Sequence, residues 1–171
     1  MSALVVYESM WGNTRAVAEA VADGLRRAGE VGVVEVGAAP PLESVDVDLL
    51  VVGAPTHAFG LSRPTTRTDA ATRAGGTVIS AGRGVREWIA GARAAGQRVA
   101  TFDTHVSRPN LPGSAGRSAA KMLRSRGCSV MVEPESFYVG GYDGPLLPGE
   151  LERARAWGDG LANLAAVPAL V

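Results

Sequence analysis

The chain of 171 residues contains one cysteine and one lysine, and each scarcity excludes something. Cys128 alone rules out an internal disulfide and any multi-cysteine metal site. It sits in an apolar run, which reads as the setting of a buried structural thiol. Lys121 is the only lysine, so arginine carries nearly all the positive charge. With abundant alanine and glycine, that bias reads as a GC-rich coding background rather than an arginine-specific function. The formal net charge is zero, which argues against nucleic acid or an anionic membrane as the main partner. No apolar run reaches membrane-spanning length and no charged leader precedes the first apolar run, so a soluble, cytoplasmic protein is expected. Hydrophobic residues make up 46% of the chain, too many for a disordered polymer, and the length suits one domain over residues 1–171.

What is present is an alternation of short apolar runs with helical spacing. Leu4-Val5-Val6-Tyr7 reads as a buried strand, and Ala16, Val17, Ala20, Val21, Ala22 and Leu25 recur as on a helix. Val31 to Val36 is a second strand, and Val47 to Gly53, apolar throughout from Leu49 on, a third, central one. Ser62 is placed to cap a helix from Arg63 to about Gly75-Gly76, with Pro64 in its first turn. A helix over Val85 to Ala95 follows a glycine-rich loop. Gln97 to Phe102 is a fourth strand, and Ser114 to Arg126 a helix stopped by Gly127. Cys128–Val132 and Ser136–Val139 together make a fifth strand, bent or bulged at Pro134. Glu150 to Leu164 is a closing helix with Leu151, Ala154, Trp157, Leu161 and Leu164 on one face, before a loose tail from Ala165. Five such alternations imply an α/β fold: a three-layer, doubly wound, five-stranded parallel sheet.

Four familiar α/β sites fail on missing residues. A dinucleotide fingerprint needs three spaced glycines after the first strand, and only Gly12 is there. A P-loop needs a lysine that the region lacks. A phospho-acceptor receiver wants an aspartate ending the third strand, which ends in Gly53-Ala54. No G-x-S-x-G elbow follows any strand. The loop that remains, Ser9-Met10-Trp11-Gly12-Asn13-Thr14, joins a strand directly to a helix. Its backbone N–H groups and the helix dipole suit a phosphate monoester.

This loop resembles the phosphate loop of the flavodoxin family, S/T-x-T-G-x-T after the first strand. It is closer still to the serine/threonine-methionine-aromatic-glycine run of flavodiiron-type flavodoxin modules. The resemblance spans roughly residues 1 to 165 and implies strand order 2-1-3-4-5 and an FMN cofactor. By that resemblance, Ser9 and Thr14 hydroxyls donate to phosphate, the N–H groups of Met10 to Thr14 complete the cage, and Gly12 permits close approach. Asn13 caps the helix or bonds phosphate, while Trp11 stands where the family has a hydroxyl. The second loop, Pro55-Thr56-His57-Ala58-Phe59-Gly60, falls where flavodoxins place groups against the isoalloxazine ring. His57 reads equally as a surface loop residue, and Phe59 as a core or hinge residue. The third loop carries Asp103, Thr104 and His105 but lacks the family's stacking tyrosine. His105 is a candidate for ring contact, and Asp103 for ring N3–H, a helix cap or a loop salt-bridge partner.

The function implied is FMN-dependent electron transfer with a redox partner protein or small-molecule reductant. Two alternatives stand beside it. One is an FMN-dependent oxidoreductase acting on a quinone, NAD(P)H or protoporphyrinogen, with residues 62–84 as a lid. The other is a flavin-free interaction domain. No catalytic side-chain set and no metal site is expected in any of them.

Overall fold

The computed structural model describes residues 1–166. The first apolar run forms β1 (Ser2–Tyr7), in which Val5 and Val6 are fully buried. Parallel to it on either side lie β2 (Glu30–Glu35) and β3 (Leu49–Pro55). Beyond β3 comes β4 (Arg98–Val106), whose outer edge is shared by β5 (Ser129–Val130) and β6 (Glu135–Val139). The order is therefore β2-β1-β3-β4-β5, with β6 continuing the β5 position beside β4. Pro134 lies in the break between the two segments, where its missing N–H takes nothing from the ladder. The order and the flanking helices are those expected of a doubly wound flavodoxin-like fold.

Helix α1 (Asn13–Leu25) crosses from β1 to β2. Helix α2 (Pro64–Arg73) and the short α3 (Val85–Ala90) lie between β3 and β4. Helix α4 (Ala115–Ser125) follows β4, and α5 (Glu150–Ala165) closes the described chain. One core layer joins α3 and α4 to the sheet through Trp88, Ile89, Ala119 and Leu123. The opposite layer joins α1 and α5 through Val17, Val21, Ala154 and Leu161, with Phe102, Phe137 and Trp157 meeting edge to face. A third, small cluster of Met10, Ala70 and Val78 packs α2 onto the loop after β1.

Several local expectations are corrected. Ser62 does not cap α2: Arg63 holds that position, and the Ser62 hydroxyl bonds Glu8. Helix α3 stops at Ala90 because Gly91 follows and the Ala95 N–H goes to the Arg126 carbonyl. Strand β4 runs past Phe102 to Val106, since β6 supplies ladder partners there. Leu151 and Leu164 are exposed, and α5 instead buries Ala154, Gly158, Leu161 and Ala162. That face wins because Gly24 and Gly158 bring α1 and α5 backbone against backbone. Of the expected tail, Ala165 belongs to α5, and residues 167–171 lie outside the described residues.

Candidate functional site

The loop between β1 and α1 is arranged as an open set of donors. Gly12, at φ 99°, occupies the N-cap of α1, a left-handed position that favours glycine. Asn13 is thus the first helical residue and not the cap; its side chain donates to the Asp143 carbonyl at 2.9 Å. Ser9 Oγ accepts from the N–H groups of Gly12 (3.1 Å) and Arg15 (3.4 Å), leaving its own proton to donate. Thr14 Oγ1 lies 2.8 Å from Thr104 Oγ1, a buried pair in which one hydroxyl proton is shared and the other is spare. Among the described residues, the N–H groups of Met10, Trp11, Asn13 and Thr14 have no protein acceptor. Four unanswered donors at a helix start, with no acidic side chain in the first turn, favour an anion.

The loop opens into a cleft of about 360 Å³ across the carboxyl ends of the strands. Ser9, Met10, Trp11, Asn13 and Thr14 line one end of it, and Pro55 to Phe59 with Thr104 and His105 line the rest. Gly12 and Gly60 do not line it. Neither does Asp103: it lies within β4, fully buried, and its carboxylate accepts from Ser114 Oγ and from the Gly116 N–H at 3.0 Å. It therefore anchors the start of α4, the cap reading of that residue.

His57 and Gly60 exchange backbone bonds of 2.8 and 3.0 Å, closing a two-residue turn over Ala58 (φ 43°) and Phe59 (φ 74°). Both tip residues are left-handed, which places Phe59 outward at 57% exposure on the cleft rim. Sequence alone did not point to Thr66, Asp69 and Arg73 of α2, nor to Tyr142, as lining residues. Tyr142 meets the Trp11 ring at 5.0 Å in an edge arrangement, and the Arg73 guanidinium lies over the Tyr142 ring, 4.1 Å from its centroid. The available signal was Gly140-Gly141-Tyr142-Asp143-Gly144, an aromatic in a glycine loop at the same end of the sheet. Of residues 62–84, Thr66, Asp69 and Arg73 form part of the cleft wall. Ile79 and Ser80 N–H groups bond the carbonyls of Met10 (3.1 Å) and Ser9 (2.9 Å).

Behind the donor loop lies a buried polar network. Glu8 is fully buried and accepts from the Ser62 hydroxyl and from the Val85 N–H at 2.8 Å. Ser62 accepts from Arg67, which pairs with Glu87 at 3.1 Å. Burial, only partly offset by these bonds, raises the Glu8 pKa above the ordinary glutamate value. His57 is affected in the opposite sense. Burial, then the Arg67 charge, lowers its pKa to about 4, and its Nδ1 has no partner. A histidine depressed in the fold binds protons more readily when unfolded, so its stability contribution is complete above pH 6.5 and is lost as pH falls toward 4. Acidification through that window is expected to remove up to about 3 kcal/mol. His57→Gln should flatten the urea midpoint against pH over this interval; an unchanged slope would assign the acid sensitivity elsewhere.

Comparison with known proteins agrees with this geometry. The flavodoxin family model matches residues 5–76, from β1 through the donor loop and the cleft hairpin to α2. The fold is flavodoxin-like. A flavodoxin from the domain Archaea superposes with TM-score 0.69 at 21% identity, covering 98% of this chain and 100% of that one. Oxidised flavodoxin 1 from Bacillus cereus gives TM-score 0.68 at 18% identity, over 98% and 100% of the two chains. The flavodiiron protein from Giardia intestinalis gives 0.63 at 19% identity, covering 96% of this chain but 36% of its own. No curated protein matches the chain by sequence. Among the described residues of this flavodoxin-like chain, no His, Cys, Asp or Glu cluster is placed to hold a metal ion. No described helix is long and apolar enough to cross a membrane.

Proposed function

We propose that this flavodoxin-like chain binds FMN in the cleft and serves as an electron-transfer protein. The observation that carries the reading is the set of unanswered N–H groups at Met10, Trp11, Asn13 and Thr14, beside the Ser9 and Thr14 hydroxyls. Their chemistry fits a phosphate monoester dianion, and the rest of the cleft, walled by Pro55, Ala58, Phe59, Leu111 and Val139, fits an apolar ring. Bound there, a flavin supplies one- and two-electron redox chemistry. The chain's own residues do the rest. The loop would orient the phosphate, Trp11 and Tyr142 would cover the approach to it, and residues 56–59 and 104–105 would line the ring's part of the cleft. His57, neutral at physiological pH, adds no cation to the ring environment.

The test is a flavin titration of the purified chain. A yellow protein absorbing at about 450 nm, as flavin chemistry requires, supports the reading. A colourless protein that takes up no FMN overturns it. Thr14→Ala removes a phosphate donor and is expected to weaken FMN binding by about 1–3 kcal/mol. Unchanged affinity would mean that the phosphate lies elsewhere.

A further inference from the structure

The zero net charge conceals a separation of charge. Between Asp103 and Glu133 there is no acidic residue, yet Arg108, Arg117, Lys121, Arg124 and Arg126 all fall in that stretch. The remainder of the neutral chain therefore carries the matching excess of acid. Arg117, Lys121 and Arg124 stand at i, i+4 and i+7 of α4, a single exposed stripe. None of the three makes an ion pair or donates a side-chain hydrogen bond among the described residues. The acid of the neighbouring α3, Glu87, is already paired with Arg67.

The stripe works against its own helix. Arg117 lies in the first turn of α4, where the helix dipole favours acids, and like charges four residues apart repel. It also begins close to the cleft, because Leu111 and Pro112 line the cleft and α4 starts just after them. The loop carrying Leu111 abuts the Phe59 turn: a Cβ on Gly113 would fall 2.1 Å from the Phe59 carbonyl oxygen. Phe59 and Leu111, 57% and 47% exposed, thus form an apolar rim of the cleft.

We propose that this face is the docking surface for an acidic electron-carrying protein, a proposal that rests on the flavin reading of the cleft. The apolar rim supplies contact area at the ring edge, and the α4 stripe orients a negatively charged partner over it. Each encounter moves one electron between the partner's redox centre and the flavin, one oxidised as the other is reduced, with the accompanying proton exchanged with water. A nucleic acid is a poorer match, since the cations form one short stripe beside apolar side chains and the molecule as a whole is neutral.

The experiment is calorimetric titration of the full chain, with and without FMN, at low and physiological salt. The probes are a plant-type [2Fe–2S] ferredoxin as acidic carrier, a basic c-type cytochrome, a short DNA duplex and phosphatidylserine vesicles. Ferredoxin should bind most tightly, with affinity falling as salt rises. The triple change Arg117→Glu, Lys121→Glu, Arg124→Glu should weaken ferredoxin binding by about tenfold or more and leave FMN affinity and the thermal midpoint unchanged. Arg124→Glu alone, on the last turn, should give part of the effect. Tighter binding of the cytochrome, the duplex or the vesicles, or a triple variant that binds ferredoxin like the parent, overturns the proposal. Stripe-dependent ferredoxin binding by a chain that takes up no FMN supports the acidic-partner surface and overturns only the flavin reading.

Discussion

Glu8→Ala is expected to cost about 3–5 kcal/mol of stability, the range for removing one partner from a buried charged network. The carboxylate is fully buried at the end of β1 and answers two donors, the Ser62 hydroxyl and the Val85 N–H. Its loss leaves both unpaired and takes away a negative charge that faces Arg67, itself 4% exposed with an unpartnered Nε. Glu8→Gln keeps the volume and one acceptor, so its cost should be clearly smaller. The two variants also differ from the parent in pH dependence. An acid whose folded pKa is raised binds protons more readily when folded, so parent stability falls as pH rises from the ordinary glutamate range through the raised value. Both substitutions remove that slope. Urea denaturation across pH measures both effects, and an alanine variant within about 1 kcal/mol of the parent would mean that the network contributes little.

Gly158→Ala is the second large effect, expected at about 2–3 kcal/mol. A Cβ there would sit 2.2 Å from the Val21 carbonyl oxygen, and the reciprocal Cβ on Gly24 would sit 2.2 Å from that of Arg155. Both obstacles are backbone, so no rotamer change relieves them, and α1 must move off α5. The thermal midpoint should fall by about 6–10 °C. Gly160, two residues along the same helix, has nothing within 4 Å of its would-be Cβ. Gly160→Ala should therefore stabilise by about 0.5–1 kcal/mol, through helix propensity alone. Equal effects at the two positions would contradict the close helix contact.

Much of this architecture is written in local pattern. The apolar runs at residues 4–7 and 49–53 identify central strands because both faces are covered, and the loop at Ser9–Thr14 joins the first of them directly to a helix. What local pattern misassigns is decided by distant partners. Ser62 has the grammar of a cap, yet buried Glu8, 54 residues away, takes its hydroxyl. Asp103 reads in sequence as a contact to a flavin ring, a helix cap or a salt-bridge partner, and only the fold shows it buried with its carboxylate answering Ser114 and Gly116 at the start of α4. Tyr142 lies 131 positions from Trp11, so no window of sequence joins the two rings. Leu151 and Leu164 satisfy the helical period but lose their place to glycines that bring two backbones together.

The close meeting of α1 and α5 has a consequence for how the chain comes into being. The donor loop precedes in sequence the features that shape it: the Asp143 carbonyl that holds Asn13 lies 130 positions further on, and α5, which packs on α1, follows that. Nascent chain therefore displays the loop's residues long before it has the loop's shape.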